Sequence, residues 1–284
     1  MKLSFVLDSA SDIKIDQEKL EAPLTVVPLN VQFGDDHYLD GVTITEDEFY
    51  NRMAREPELP KTSQPSPQSF FEAFQKEVDK GYHVIYIGIS DNLSGTVQSA
   101  TIGKGMLADE EQARVSIVNS GTASGGMQVL LHAAVEMANK GYAISEILER
   151  LEDMKKDVTA YVLLETIENV KKGGRISAVQ SAIAGMLNIK PMLSIHDGIV
   201  ETIGKFRGSK KGVLKVKEMI DDWRSENPDK TLYLLHSYPS VERVKQEFEE
   251  LFSFSKFPEI NFTRFGSTIG TYASENAIGF IYYK

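Results

Sequence analysis

Apolar runs rich in β-branched residues alternate along this chain with stretches whose apolar positions recur at helical spacing, the pattern of an α/β protein. Ser4 to Leu7 begins a strand, and Leu24 to Phe33 reads as another, longer one. In TEDE, Thr45 and Glu48 have the spacing of a capping box. A helix is therefore expected from about Glu46 to Arg55, ended by Pro57 and Pro60. Ser66 followed by Pro67 marks a second helix start, and Phe70, Phe71, Phe74 and Val78 keep helical spacing until Gly81. Thr62 and Ser63 then lie on the loop entering that helix. Val84 to Ile89 is a buried strand that turns through Ser90, Asp91 and Asn92 into a helix starting near Ser94. Val115 to Val118 repeats the scheme, with the loop NSGTASGG and a helix from about Gly126 to Asn139. Three strand–loop–helix units predict a parallel sheet with its ligand loops at the strand C-termini. PKTSQPSPQSF (60–70), GISDNLSGTVQS (88–99) and NSGTASGG (119–126) can thus share one rim.

Near residue 157 the texture changes. Thr159 to Leu164 is a strand, KKGGR at 171–175 is a glycine turn flanked by cations, and 177–187 reads as a helix crowded with Ala178, Ala182, Ala184 and Gly185. Met192 to Ile195 and Ile199 to Ile203 flank Asp197-Gly198, a hairpin signal. Helices near 209–225 and 240–252 follow, with strands near 231–235, 260–265 and 279–283. The expected organisation is a parallel-sheet α/β domain over 1–157 and a second, α+β domain over 158–284, whose last strand is free to return to another sheet.

Composition narrows the function. With 31 basic and 41 acidic side chains the net charge is −10, which disfavours nucleic acid and anionic membrane surfaces as partners. The absence of cysteine excludes disulfides, zinc–thiolate sites, iron–sulfur clusters and thiol nucleophiles. MKLSFVLDSASD is too short in apolar residues for a signal-peptide core, and no run approaches the ~18 apolar residues of a membrane span. These features read as cytoplasmic.

Familiar chemistry fails in turn. The nucleophile elbow G-x-S-x-G is not met at Gly88-Ile89-Ser90-Asp91-Asn92, and His37, His83, His132, His196 and His236 have no triad spacing. No metal-binding string occurs, and Asp35-Asp36-His37 reads as a solvated turn. Neither dinucleotide nor Walker glycine motifs appear; GTASGG reads as a tight loop. The hydroxyl-rich loops remain. Ser94 stands beside a helix N-terminus, where unpaired N–H groups and the helix dipole favour an anion. Capping accounts for Ser66 and for Ser94, but not for Thr62 and Ser63, which precede the cap. Neutral donors of this kind suit a carboxylate beside an apolar pocket, hence an amphiphile with one acidic end. Ile176, Ile183, Met186 and Leu187 either let a neighbouring helix pack closely or line volume for an aliphatic chain. Burying ~15 methylenes at ~0.8 kcal/mol each gives roughly 12 kcal/mol before ordering costs, against about 1.5–3 for one charged hydrogen bond, so the tail would hold and the head orient. The string KFRGSKKGVLKVK at 205–217 carries six cations and no acid, and Lys171, Lys172 and Arg175 belong to the same half. It is either a solvated face or a docking patch for an acidic partner or a phosphate.

Taken together, DSASD (8–12), VVPLNVQF (26–33), DGVTITEDEFY (40–50), PKTSQPSP (60–67), IGISDNLSGTVQSA (87–100), KKGGRIS (171–177), LNIKPML (187–193) and FRGSKKG (206–212) make the chain resemble the DegV family. These are bacterial fatty-acid-binding proteins that present an acyl chain to a fatty acid kinase. The resemblance implies an α/β domain and an α+β domain with the lipid between them. It places the carboxylate contacts on Thr62, Ser63, Ser94 and Gly95, with Ser120 and Tyr272 beside them; an acyl chain against Ile176, Ile183, Met186 and Leu187 stays one of the two readings of that helix. It puts Arg175, Arg207, Lys210 and Lys211 on the face that meets the kinase. It implies a carrier without catalytic residues, metal or cofactor, holding a fatty acid such as palmitate, stearate or oleate. The sequence departs from the family where IGTYASENAIG replaces a His-Thr/Ser-Gly-Pro-Gly string, so that Tyr272 stands at the head-group histidine; Asn119 likewise stands where an acidic residue is usual. Alternative readings are an enzyme acting on a small hydroxy or phosphorylated metabolite through NSGTASGG, and a lipid sensor uncoupled from the kinase.

Overall fold

A computed structural model of the protein describes residues 2–14, 20–176, 188–248 and 259–284. The first part of the chain contains β1 (Leu3–Asp8), β2 (Leu24–Val27), β3 (Asn30–Phe33), β4 (Asp36–Leu39), α1 (Glu46–Met53), β5 (Lys61–Ser63), α2 (Pro67–Asp79), β6 (His83–Gly88), α3 (Thr96–Gly105), α4 (Asp109–Gln112), β7 (Val115–Asn119), α5 (Gly125–Asn139) and α6 (Ile144–Met154). The second part contains β8 (Thr159–Leu163), α7 (Glu168–Lys172), β9 (Ile189–His196), β10 (Ile199–Arg207), α8 (Ser209–Glu226), β11 (Leu232–His236), α9 (Val241–Phe248), β12 (Ile260–Arg264), α10 (Ser267–Ala273) and β13 (Ile278–Tyr282).

Local chemistry sets several of these boundaries. At α1 the expected capping box forms: the Glu48 N–H donates to Thr45 Oγ1 at 3.2 Å, and the Thr45 N–H to Glu48 Oε2 at 2.8 Å. Ser66 caps α2 by accepting from the Ser69 N–H at 3.1 Å. The long strand expected over 24–33 is two strands in different sheets. Pro28 has no N–H to continue a ladder, and the Leu29 N–H instead donates to Ser9 Oγ at 3.0 Å. The stretch 35–37 is not simply a turn: Gly34 and Asp35 connect β3 to β4, and Asp36 and His37 pair with Phe33 and Gln32.

Four strands form a parallel sheet in the order β2-β1-β6-β7. A six-stranded mixed sheet follows the order β10-β9-β8-β13-β11-β12, so the last strand lies inside it between β8 and β11. A small antiparallel sheet, β4-β3-β5, flanks the first. Helix α5 packs between the two larger sheets and is buried along much of its length at Met127, Val129, Leu130, Leu131, Ala134 and Val135, while Gln128, His132 and Glu136 form a polar stripe along one side. The main core therefore draws on both halves: Phe5, Leu7, Ile85 and Ile87 from the parallel sheet, and Val162, Leu193 and Leu235 from the mixed one. Alternation along the mixed sheet sends Leu163, Met192 and Leu234 to its other face, where they pack under α8. At the β9–β10 turn, Asp197 (φ 48°) and Gly198 (φ 68°) both take the left-handed conformation that a two-residue hairpin demands. This turn reaches the first half: the Gly198 N–H donates to the Gly121 carbonyl at 2.6 Å, and Asn92 Nδ2 donates to the Asp197 carbonyl at 2.9 Å.

Candidate functional site

Where the halves meet, a cavity of about 370 Å³ is walled mostly by carbon. Its floor follows from strand register. Ala160 and Val162 on β8 face the same side, and they sit opposite Ile195 and Leu193 on β9, so two cross-strand pairs present a continuous apolar surface. Val200 and Leu235 extend it along the sheet, and Leu29, Ile89 and Ala123 face it from the first half. The volume lies near the lower end of the usual range for small-molecule sites, about 300–1,000 Å³, and the lining suits an apolar ligand.

One end of this cavity is polar. Thr62, Ser63 and Gln64 reach it from β5 and the residue beyond, Ser94 and Gly95 from the turn before α3, Tyr272 from α10, and Arg175 from the loop after α7. Thr62 is not on a loop, as the sequence suggested, but in a strand paired with Val31, which fixes its side chain. Its Oγ1 lies 2.6 Å from the Tyr272 hydroxyl. Ser94 Oγ lies 2.8 Å from Thr96 Oγ1, and Gly95, with no side chain to cap α3, leaves the first-turn N–H groups of that helix without a side-chain acceptor. A Cβ on Gly95 would stand 2.0 Å from Gln64 Oε1, which is how close these two segments come.

Tyr272 is held from several sides. The Arg175 guanidinium lies 5.2 Å from its ring centroid, and a Cβ on Gly173 would be 2.2 Å from ring Cε1, so Gly173 of KKGGR makes room for the ring. Asn169 Nδ2 ties α7 to α10 through the Thr271 carbonyl at 3.1 Å. The start of α10 is gripped by buried carboxylates from the first half. Asp40 accepts from the Ser267 N–H (2.9 Å), the Thr268 N–H (3.2 Å) and Thr268 Oγ1 (2.6 Å), and Asp12 accepts from the Gly266 N–H (2.8 Å). Burial, reinforced by Asp40 and Glu46 nearby, holds the Asp12 carboxyl well above the usual range. Asp8, also buried, is raised to about 6 even though it accepts from the Ile89 N–H, the Tyr86 hydroxyl and the Ala10 N–H. The DSASD string thus contributes carboxylates that hold the frame rather than line the cavity.

The other sequence-derived positions fall as follows. Ser120 is buried but closes its own loop, its hydroxyl donating to the Thr122 carbonyl at 3.1 Å, and it is not on the cavity wall. Asn119 does the same work, accepting from the Gly121 and Asp91 N–H groups at 3.2 and 3.3 Å. Ile176 packs in the main core and not on the cavity wall, while Ile183, Met186 and Leu187 lie outside the described residues. Arg175 belongs to the polar end of the cavity as well as to the surface, whereas Arg207, Lys210 and Lys211 are exposed at the end of β10 and the start of α8. Sequence reasoning from the residues missed Gln64, Thr268, Ile269 and the floor. The alternation A-x-V at 160–162 and L-x-I at 193–195 carried the floor's signal, but nothing in it names the facing element. Among the described residues no group of three or more His, Asp or Glu side chains could hold a metal ion, and no helix is long and apolar enough to cross a membrane.

Against known proteins, the sequence model of a family described as "Uncharacterised protein, DegV family" matches residues 2–284. A DegV domain-containing protein of Caldanaerobacter subterraneus subsp. tengcongensis is 31% identical over 98% of this chain and 97% of its own length. Among solved structures, a DegV family protein from Thermus thermophilus described for its fatty acid binding is 30% identical, with a TM-score of 0.85 and full coverage of both chains. A stearic acid-binding protein from Eubacterium ventriosum is 27% identical with a TM-score of 0.87, covering 100% of this chain and 98% of that one.

Proposed function

We propose that this chain, which belongs to the DegV family, binds a long-chain fatty acid such as palmitate, stearate or oleate and presents it to the catalytic protein of a fatty acid kinase. The observation that carries the binding reading is a single cavity whose apolar floor of cross-strand pairs ends at the Thr62–Tyr272 hydroxyl pair, with Ser63, Ser94 and Gly95 beside it. The acyl chain occupies the carbon-lined part and the carboxylate takes hydrogen bonds from the hydroxyls and from the start of α3. The solved relatives' bound lipids support the ligand class. The chain itself supplies substrate in place and no catalytic group; the exposed Arg207, Lys210 and Lys211 form the face offered to the acidic surface of a partner.

Tyr272 favours a second reading for the kinase step. A tyrosine donates a hydrogen bond to the carboxylate but cannot become cationic as an imidazole does. A lipid sensor uncoupled from phosphotransfer would have such a site. Denaturing extraction of the purified protein followed by mass spectrometry tests the binding reading: a stoichiometric long-chain fatty acid is expected, strongly depleted in a Thr62→Ala, Ser94→Ala double variant of unchanged fold. A protein that copurifies with no lipid and takes up none would overturn it. Acyl-phosphate formation by a fatty acid kinase with the native chain, compared with Tyr272→His, separates carrier from sensor.

A further inference from the structure

Helix α5 turns Val129, Ala133 and Met137, four positions apart, to one side, and they form the apolar base of a groove of about 580 Å³. The volume falls within the usual range for small-molecule sites, about 300–1,000 Å³, and the groove shares no lining residue with the first cavity. The first half of the chain adds Arg150 from α6 and Tyr142 from the turn between α5 and α6. The second half closes the other side with Asp229 and Lys230 before β11, Tyr233 within it and Tyr283 after β13.

Two of the rings are fixed. The buried Tyr233 has its hydroxyl 2.5 Å from His132 Nδ1, and Tyr283 meets it edge-on at 5.9 Å between centroids while donating its own hydroxyl to the Thr231 carbonyl at 2.8 Å. Tyr142 is 48% exposed, so its ring has a face to offer a flat ligand. The charges are unevenly matched. Lys140 is taken by Glu136 at 2.5 Å, but among the described residues neither Arg150 nor Lys230 has an ion-pair partner. Arg150 comes from the first half and Lys230 from the second, close enough to repel: burial and then the Arg150 charge push Lys230 below its usual value, against Asp157 nearby. Lys230 Nζ lies 5.0 Å from the Tyr283 ring centroid. An anion between these two cations relieves the repulsion, in a chain whose net charge is −10. Asp229, exposed on the same wall, disfavours a ligand that is anionic throughout and favours one that also carries an N–H donor. A mononucleotide has each part: a phosphate for Arg150 and Lys230, a base to stack on Tyr142, and an exocyclic amine to donate to Asp229.

We propose that the groove between α5, α6 and the start of β11 binds a nucleoside phosphate whose base carries an exocyclic amine, with the phosphate between Arg150 and Lys230, the base on Tyr142 and the amine on Asp229. The test is calorimetric titration of the full-length protein with AMP, with IMP, whose ring lacks the amine, and with ribose 5-phosphate, which lacks the base. Saturable one-site binding of AMP is expected, with IMP and ribose 5-phosphate each weaker by about tenfold or more. An Arg150→Gln, Lys230→Gln double variant should weaken AMP by about tenfold or more with its unfolding temperature unchanged, since both side chains reach solvent and hold no acid. Fatty acid affinity should be the same in this variant and in the wild type, because the two sites share no residue. The comparison of AMP with ribose 5-phosphate uses the unaltered protein and so stands whatever the substitutions do to the fold. Absence of saturable binding at millimolar AMP, ribose 5-phosphate or IMP bound as tightly as AMP, or undiminished AMP affinity in the double variant would overturn the assignment.

Discussion

Replacing Tyr272 by phenylalanine removes one hydroxyl from the polar end of the cavity and leaves the ring where Arg175 covers it, 5.2 Å from the centroid. In the free protein the loss is the bond to Thr62 Oγ1 at 2.6 Å, a neutral pair worth about 0.5–1.5 kcal/mol. On the proposed reading the same hydroxyl donates to an ionised carboxylate in the complex, and a hydrogen bond to a charged acceptor is worth about 1.5–3 kcal/mol. The cost to binding is the difference, about 1–1.5 kcal/mol, so at about 1.4 kcal/mol per tenfold, affinity for a long-chain acid should fall roughly fivefold to tenfold. The matching fatty alcohol keeps the tail and offers only a neutral contact, which the neutral bond lost in the free protein offsets, so its affinity should change by less than about twofold. Displacement of a fluorescent fatty acid by stearate and by octadecanol, in wild type and Tyr272→Phe, measures both losses. The diagnostic quantity is their ratio. Equal losses for acid and alcohol would mean that the carboxylate does not sit at Tyr272, and the head-group assignment would be refuted; no loss for either would place the whole ligand elsewhere.

Two further outcomes follow from packing and burial. In Gly173→Ala the new Cβ would stand 2.2 Å from Tyr272 Cε1, so the ring must move; fatty acid affinity in the same displacement assay should drop about as far as in Tyr272→Phe, and an unchanged affinity would contradict the ring's position. For Asp8, raised from 3.8 to about 6 by burial, the stabilising contribution is complete below the unfolded value and is lost as pH rises through the folded one. Urea unfolding of wild type relative to Asp8→Asn should therefore show a relative loss of about 3 kcal/mol between about pH 4 and about pH 7, where a flat difference would show that the carboxyl is not desolvated.

How much of this was legible in the sequence depended on the range of the interaction involved. Capping at Thr45 and Ser66 and the Asp197-Gly198 turn are local chemistry, and the structure repeats them residue for residue. The Leu24–Phe33 stretch was misread because apolar periodicity continues across Pro28 while the hydrogen-bond ladder does not. Helix α10 went unread: seven residues, STIGTYA, have no amphipathic period, and their helical state rests on carboxylates at positions 12 and 40. For the same reason the meeting of Thr62 with Tyr272, 210 positions apart, came only through resemblance to a family. Residue types alone suggested hydroxyls for a carboxylate, but not which hydroxyls converge.

The dependence of the polar end on α10 says why buried acid is kept in the frame of a cavity that is to receive an acid. A single helical turn or two does not persist unaided, since nucleation is unfavourable and few bonds reward it. Asp40 and Asp12 accept from the first N–H groups of α10 and from Thr268 Oγ1, four hydrogen bonds drawn from the opposite half of the chain. Desolvating those carboxylates costs stability, as the raised Asp12 pKa records. They lie at the start of α10, whereas Tyr272 stands near its end, so the helix separates these acids from the carboxylate that Tyr272 is proposed to hold. The head-group end can then be built from hydroxyls, with the exposed Arg175 guanidinium lying over the Tyr272 ring, because positioning is done by acids placed behind the helix. A fixed buried cation at the cavity end would hold the ligand more strongly but would need its own desolvation repaid in every unliganded molecule. Hydroxyls do not, and they leave most of the binding energy to the tail.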